Sequence, residues 1–236
     1  MRDGRTLTDG CMPGWRDILV RCNRSRAVPF LMAFYFYVGL VSLSGVVAQE
    51  EDAKVHSEYL RDKEKMYECI ADTGATMLLS IRNVIAKNQK LINRDPETGN
   101  YYFKGFVPAV VGSRVANDFS LRTGYKLKQT ALRVRNPRNS PDEWEERTLK
   151  VLERDRTEKG FGEITEIEGV EVYRYMKPLY MEKECLMCHS SPEAMPPDVK
   201  AYIERNYGND QAMGYKEGDL RGGISVIIPI SEMSGP

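Results

Sequence analysis

Histidine is almost missing from this chain: its 236 residues include two, His56 and His189. That scarcity argues against a histidine-rich metal cage and against most histidine-based acid–base catalysis. No nucleophile–base set stands out elsewhere, so no enzymatic activity is expected. Net charge is lacking too, with Lys+Arg and Asp+Glu both at 34 and interspersed. Such a balance does not call for nucleic acid or an anionic membrane surface. There is no internal repeat and no low-complexity tract, and the length suits one sizeable domain or two small ones.

Charge disappears altogether from Ala27 to Gln49. Arg16, Arg21, Arg24 and Arg26 precede this run, and Glu50, Glu51 and Asp52 follow it. A basic flank, an apolar centre and small residues at Val46 and Ala48 read as an export signal cut after Ala48. The basic flank is long for a signal, which makes Met12 an alternative start. The run is also long enough to span a bilayer, so a retained anchor is the rival reading. Either way residues 1–48 form a targeting segment and residues 49–236 a single domain outside the cytoplasm, periplasmic or anchored. Of the five cysteines, Cys69, Cys185 and Cys188 fall in the exported part. That odd number does not suit a fully paired disulfide framework.

The exported part alternates between two periodicities. Residues 54–92 read as helix, interrupted near Asp72-Thr73-Gly74, with Tyr59, Met66, Ile70, Met77, Ile81 and Val84 as the apolar stripe. A second helix spans Pro108 to Arg122 and stops at Gly124. Residues 125–135 alternate as a strand. Ser140 is expected to cap a helix, with Pro141 at its first position, Glu143 closing a capping box, and the helix running to Lys159. Trp144, Thr148, Val151 and Leu152 would be its buried edge. Two strands around Glu168-Gly169 fill 162–181, a short helix lies near Asp198–Tyr207, and 221–231 is a strand apolar enough to be central. Helices first, then strands with an inserted helix, indicate an α+β fold around an antiparallel sheet.

The chemistry concentrates in Cys185-Leu186-Met187-Cys188-His189. Two cysteines at this spacing can add to the two vinyl groups of one porphyrin, with the following histidine as proximal iron ligand. Attachment of that kind takes place outside the cytoplasm, in keeping with the N-terminus. A closed zinc site wants four N/S ligands, and a second pair is missing. A thioredoxin-like dithiol belongs to a parallel α/β unit, which the strand pattern does not support. A simple disulfide or chance occurrence is the remaining bland reading. One covalently bound haem c is the expected cofactor.

Joined to its surroundings, this motif resembles a family. "VIAKNQKLIN" (84–93), "FKGFVPAVVGSRVANDF" (103–119), "KQTALRVRNPRNSPDEWE" (128–145), "RYMKPL" (174–179), "CLMCH" (185–189) and "GDLRGGISVIIPI" (218–230) are similar to exported single-haem c-type proteins with a PAS-like sensor domain. These occur free-standing or as input domains of membrane-bound kinases and chemoreceptors. The resemblance implies a PAS-like central antiparallel sheet with a long N-terminal helix and peripheral helices, haem at the sheet edge, and a redox- or gas-responsive role. Cys185 and Cys188 carry over onto the attachment positions and His189 onto the proximal ligand. Shorter members draw a second axial ligand from a cysteine in the helix before the "RNP" segment. Here "GFVPAVVGSR" holds no cysteine.

The sixth ligand is therefore open. Cys69 is the first candidate and His56 the alternative, with Met66, Met77 and Met187 as weaker options. An unfilled position would suit a diatomic gas. Arg135, Arg174 and Arg221 are candidates for the haem propionates, because guanidinium pairs bidentately with carboxylate. Asn136 and Asn139 beside Pro137 and Pro141 fix a turn. Gly222-Gly223 allow either a close approach to haem or a bulge. The expected function is redox or gas sensing through a protein partner, with a periplasmic one-electron carrier as the alternative.

Overall fold

The computed structural model describes residues 37–230. Met12, Cys11, Cys22 and the basic flank of the targeting segment lie outside them. Among the described residues no helix is long and apolar enough to cross a membrane. The chain divides into two compact units, Met1–Lys63 and Glu64–Pro236. The described part of the first is the opening of helix α1 (Tyr37–Lys87), on which His56, Tyr59 and Leu60 are exposed.

In the second unit, α1 continues without a break at Asp72-Thr73-Gly74. The reason is a tie to the sheet: Asp72 accepts hydrogen bonds from Tyr175 Oη and Lys177 Nζ. The buried face of α1 is also not the expected one. Tyr67, Ala71, Ala75 and Leu78 pack inward, whereas Met66, Met77 and Val84 are exposed. Small side chains at 71 and 75 let the helix backbone lie close to the sheet, which the bulkier stripe would have prevented. Helix α2 (Gln89–Ile92) is a short continuation. Helix α3 (Pro108–Thr123) ends at Gly124, whose φ of 75° supplies the left-handed cap expected there.

Four antiparallel strands form the sheet in the order β1 (Lys126–Thr130), β4 (Leu220–Pro229), β3 (Val170–Tyr180), β2 (Phe161–Ile167). The last strand thus lies beside the first, in the central position its apolar composition suggested. Strands β2 and β3 are joined through Glu168-Gly169, both at positive φ (52° and 80°), the requirement of a two-residue hairpin turn. Alternation sorts the two faces. Tyr173, Tyr175, Ile224, Val226 and Ile228 meet α1 and α3. Met176 meets Trp144, Leu149 and Leu152 of helix α4 (Glu143–Asp155) on the other. This is the expected α+β architecture, compatible with a PAS-like fold.

Two boundaries differ from the sequence reading. The α4 cap is Asp142 with Glu145 closing the box, not Ser140 with Glu143. Ser140 instead closes a short 3-10 turn (Pro137–Asn139), with Oγ donating to Pro137 O. Both pairs fit the same spacing; the tie is broken by Arg174, which donates to Asp142 at 2.6 Å and lies over the Trp144 ring. Glu145 is buried and accepts from Lys128 at 2.8 Å. Helix α4 stops at Asp155, and Leu149 rather than the exposed Val151 fills its core face. Strand β1 ends at Thr130, five residues short of the expected Arg135. There Gly222 (φ 157°) abuts the Thr130 carbonyl so closely that a Cβ would overlap it.

Two stability tests follow from these contacts. Asp142→Ala is expected to cost about 1–2 kcal/mol in urea unfolding, because it removes the cap and the partner of Arg174. Ser140→Ala should stay within about 0.5 kcal/mol. Gly222→Ala should destabilise by more than about 1 kcal/mol. Gly208→Ala, where an added Cβ meets nothing within 4 Å, should be near neutral.

Candidate functional site

Strand β3 shifts register against β4 between Leu179 and Tyr180 and then leaves the sheet. Met181 pins the exit: its N–H donates to Asp219 O, and Gly218 N–H donates to its carbonyl, each at 2.8 Å. A 3-10 turn (Lys183–Cys185) runs straight into the single helical turn α5 (Leu186–His189). On helical backbone, positions i, i+3 and i+4 share a face. Cys185, Cys188 and His189 occupy those positions; Cys185 packs with Met181, Ala212 and Tyr215, and Cys188 with Met195, Val199 and Ile203.

Two distant segments clamp this turn. After leaving the sheet, the chain sends Arg135 to the Cys188 carbonyl and to Asp210, the latter at 2.9 Å. The loop beyond helix α6 (Pro197–Asn206) returns with Tyr215 N–H on His189 O (2.9 Å) and Gly214 N–H on Ser190 O (3.0 Å). His189 Nδ1 lies 2.7 Å from the Ala212 carbonyl. A carbonyl can only accept, so Nδ1 carries the proton and Nε2 keeps its lone pair for a metal. Burial, then Arg221 and Arg135, hold the His189 pKa well below its ordinary value, so the ring is neutral.

The thiols are free, and burial pushes both upward, Cys188 to about 11. A redox dithiol needs the opposite shift. Among the described residues no group of three or more His, Cys, Asp and Glu comes together to hold a metal ion.

His189 opens onto a cleft between β1, β4 and the helices, lined also by Arg82, Ala109, Gln129, Leu179 and Arg221. Of the arginines singled out from sequence, Arg221 reaches it. Arg135 is engaged by Asp210 and the Cys188 carbonyl. Arg174 is held by Asp142 at the start of α4. Cys69 does not line the cleft: α1 contributes Arg82, thirteen residues onward, or about 20 Å at the helical rise. Met66 and Met77 are exposed, and His56 belongs to the other unit. No second His, Cys or Met is among the described residues lining the cleft. Gly222-Gly223 are accounted for by Thr130 and by Met176, whose sulfur leaves no room for a Cβ at 223.

Arg82, Asp210 and Ala212 escaped the sequence reading. Arg82 did leave a signal, as a lone charge in the otherwise uncharged stretch "TMLLSIRNVIA" (76–86). Asp210 and Ala212 left none, since they act through a loop without periodicity.

Comparison with known proteins bears on this arrangement. No curated protein sequence matches the chain. A solved structure described as the crystal structure of the cyanobacterial heme-protein Tll0287 superposes with a TM-score of 0.54 at 22% identity, covering 67% of this chain and 92% of that one. At that identity the likeness concerns the fold alone. The Tll0287-like family model matches residues 63–229, which includes the whole sheet and the Cys185–His189 turn, and the chain belongs to the Tll0287-like family.

Proposed function

We propose that this is an exported haem c protein that responds to redox state or to a diatomic gas. Cys185 and Cys188 would hold the haem as thioethers, each S–H adding across one vinyl group with sulfur to one carbon and hydrogen to the other, so that no oxidant would be needed. His189 would offer Nε2 to the iron. The observation that carries this reading is the His189 Nδ1 contact with the Ala212 carbonyl, in the helical turn that also holds Cys188 and directly follows Cys185. A neutral imidazole with its lone pair directed away from the backbone is what an axial ligand requires. Membership of the family, and the haem-protein nature of the solved relative, support haem as the group bound.

When bound, haem supplies an iron that can change by one electron and coordinate a small ligand. The residues of this chain fix the ring nitrogen and, among those described, line the cleft with no second His, Cys or Met. That last feature favours sensing over simple electron transfer, which works best with unchanged ligation. Signal output would then pass to a partner protein.

Expression in a periplasm with haem c maturation should give one haem per chain, retained on denaturation. Cys185→Ala/Cys188→Ala should lose covalent haem entirely, and CO should shift the ferrous absorption spectrum of the wild type. Absence of covalent haem would sink the proposal. Haem that ignores CO and stays low-spin would instead favour the one-electron carrier.

A further inference from the structure

The buried and half-buried arginines Arg82, Arg135, Arg174 and Arg221 fall into two groups. Arg135 and Arg174 each hold a carboxylate, Asp210 at 2.9 Å and Asp142 at 2.6 Å. Arg82 and Arg221 hold none among the described residues, although both line the His189 cleft. Arg82 Nε is buried with no hydrogen-bond partner, and no Asp or Glu is among the described residues lining the cleft. Arg221 donates to the Arg133 carbonyl at 3.2 Å and lies beside the Tyr215 ring, both uncharged neighbours. Asp210, the carboxylate acting on it, is already committed to Arg135. Burial, then Arg221, pull the Arg82 pKa down to about 10. Two neighbouring cations withdrawn in part from water are costly, and an anion placed between them would offset that cost.

We propose that Arg82 and Arg221 form a two-guanidinium clamp for carboxylate groups, and that the propionates of the covalently bound haem fill it. This rests on the haem reading above. Guanidinium suits the task because its planar fork pairs with carboxylate and it does not lose its charge when buried. Arg82 lies on α1 and Arg221 on β4, so an anion held by both would also tie the helix to the sheet. A free oxyanion shares this chemistry, and the test separates the two sources.

The holo protein, matured in the periplasm, would be compared as wild type, Arg82→Gln, Arg82→Lys and Arg221→Gln. Resonance Raman spectra report propionate hydrogen bonding directly. Each glutamine variant should move the propionate bending band towards its solvated position and lower the midpoint potential, since a positive charge beside the haem is lost. Arg82→Lys should restore the potential more than the band, because it returns charge without the fork, and it guards against misfolding of the glutamine variant. Inorganic phosphate should leave the melting temperature of holo wild type unchanged. Covalent haem with an unaltered band and potential in both glutamine variants would overturn the clamp and leave the haem reading standing. An Arg82-dependent rise in melting temperature with phosphate would assign the clamp to a free oxyanion and overturn the propionate assignment. Wild type without covalent haem would overturn both.

Discussion

The Arg135–Asp210 ion pair is the contact on which the site depends. Asp210 has a side chain only 2% exposed, and an isolated carboxylate there would cost several kcal/mol. Arg135 offsets that cost, and the Ala212 N–H adds a hydrogen bond at 2.8 Å. Holding Ala212 in this way places its carbonyl against His189, which sets the tautomer of the ring. The same guanidinium reaches the Cys188 carbonyl, one of the free carbonyls at the end of a helical turn. A single side chain therefore couples the exit from β1, the Cys-X-X-Cys-His turn and the loop that covers it.

Arg135 can do this only because β1 is short. Had the alternation of 125–135 been realised as one strand, its backbone would have stayed in the ladder beside β4. Instead the ladder ends where Thr130 pairs with Gly223, and Ala131 N–H turns to the Asn139 carbonyl at 3.3 Å. The released segment then lies along the covering loop, with Gln211 N–H on Val134 O at 3.0 Å and Arg133 over the Tyr215 ring. Sheet order matters equally. Pairing the last strand with the first brings Arg221 to the wall that Gln129 and Ala131 also form.

Burial sets the protonation states in the chemically useful direction. It raises both thiols and lowers the imidazole, so all three groups are neutral near pH 7. Neutral thiols are poor nucleophiles and poor ligands for a stray cation. The neutral imidazole keeps a lone pair. Charge in the cleft is left to the arginines.

Much of this was legible in the residues, because it is local. Cys185, Cys188 and His189 lie within about one helical turn, so their closeness follows from spacing alone. Gly124 ends α3, and Glu168-Gly169 turns the hairpin, because the backbone at those points needs positive φ. The fold class followed from the order of periodicities. Other features were decided by partners distant in sequence. The α1 segment offers apolar residues on two faces, and the sheet selected the one with small side chains at Ala71 and Ala75. Two overlapping capping patterns precede α4, and Arg174 selected Asp142. Three arginines stood as equal candidates along the chain; only folding determined that Arg135 and Arg174 would find carboxylates while Arg221, with Arg82, would face a cleft lined by none among the described residues. Spacing along a chain fixes geometry within a turn, whereas pairing of charges depends on which segments the sheet brings together.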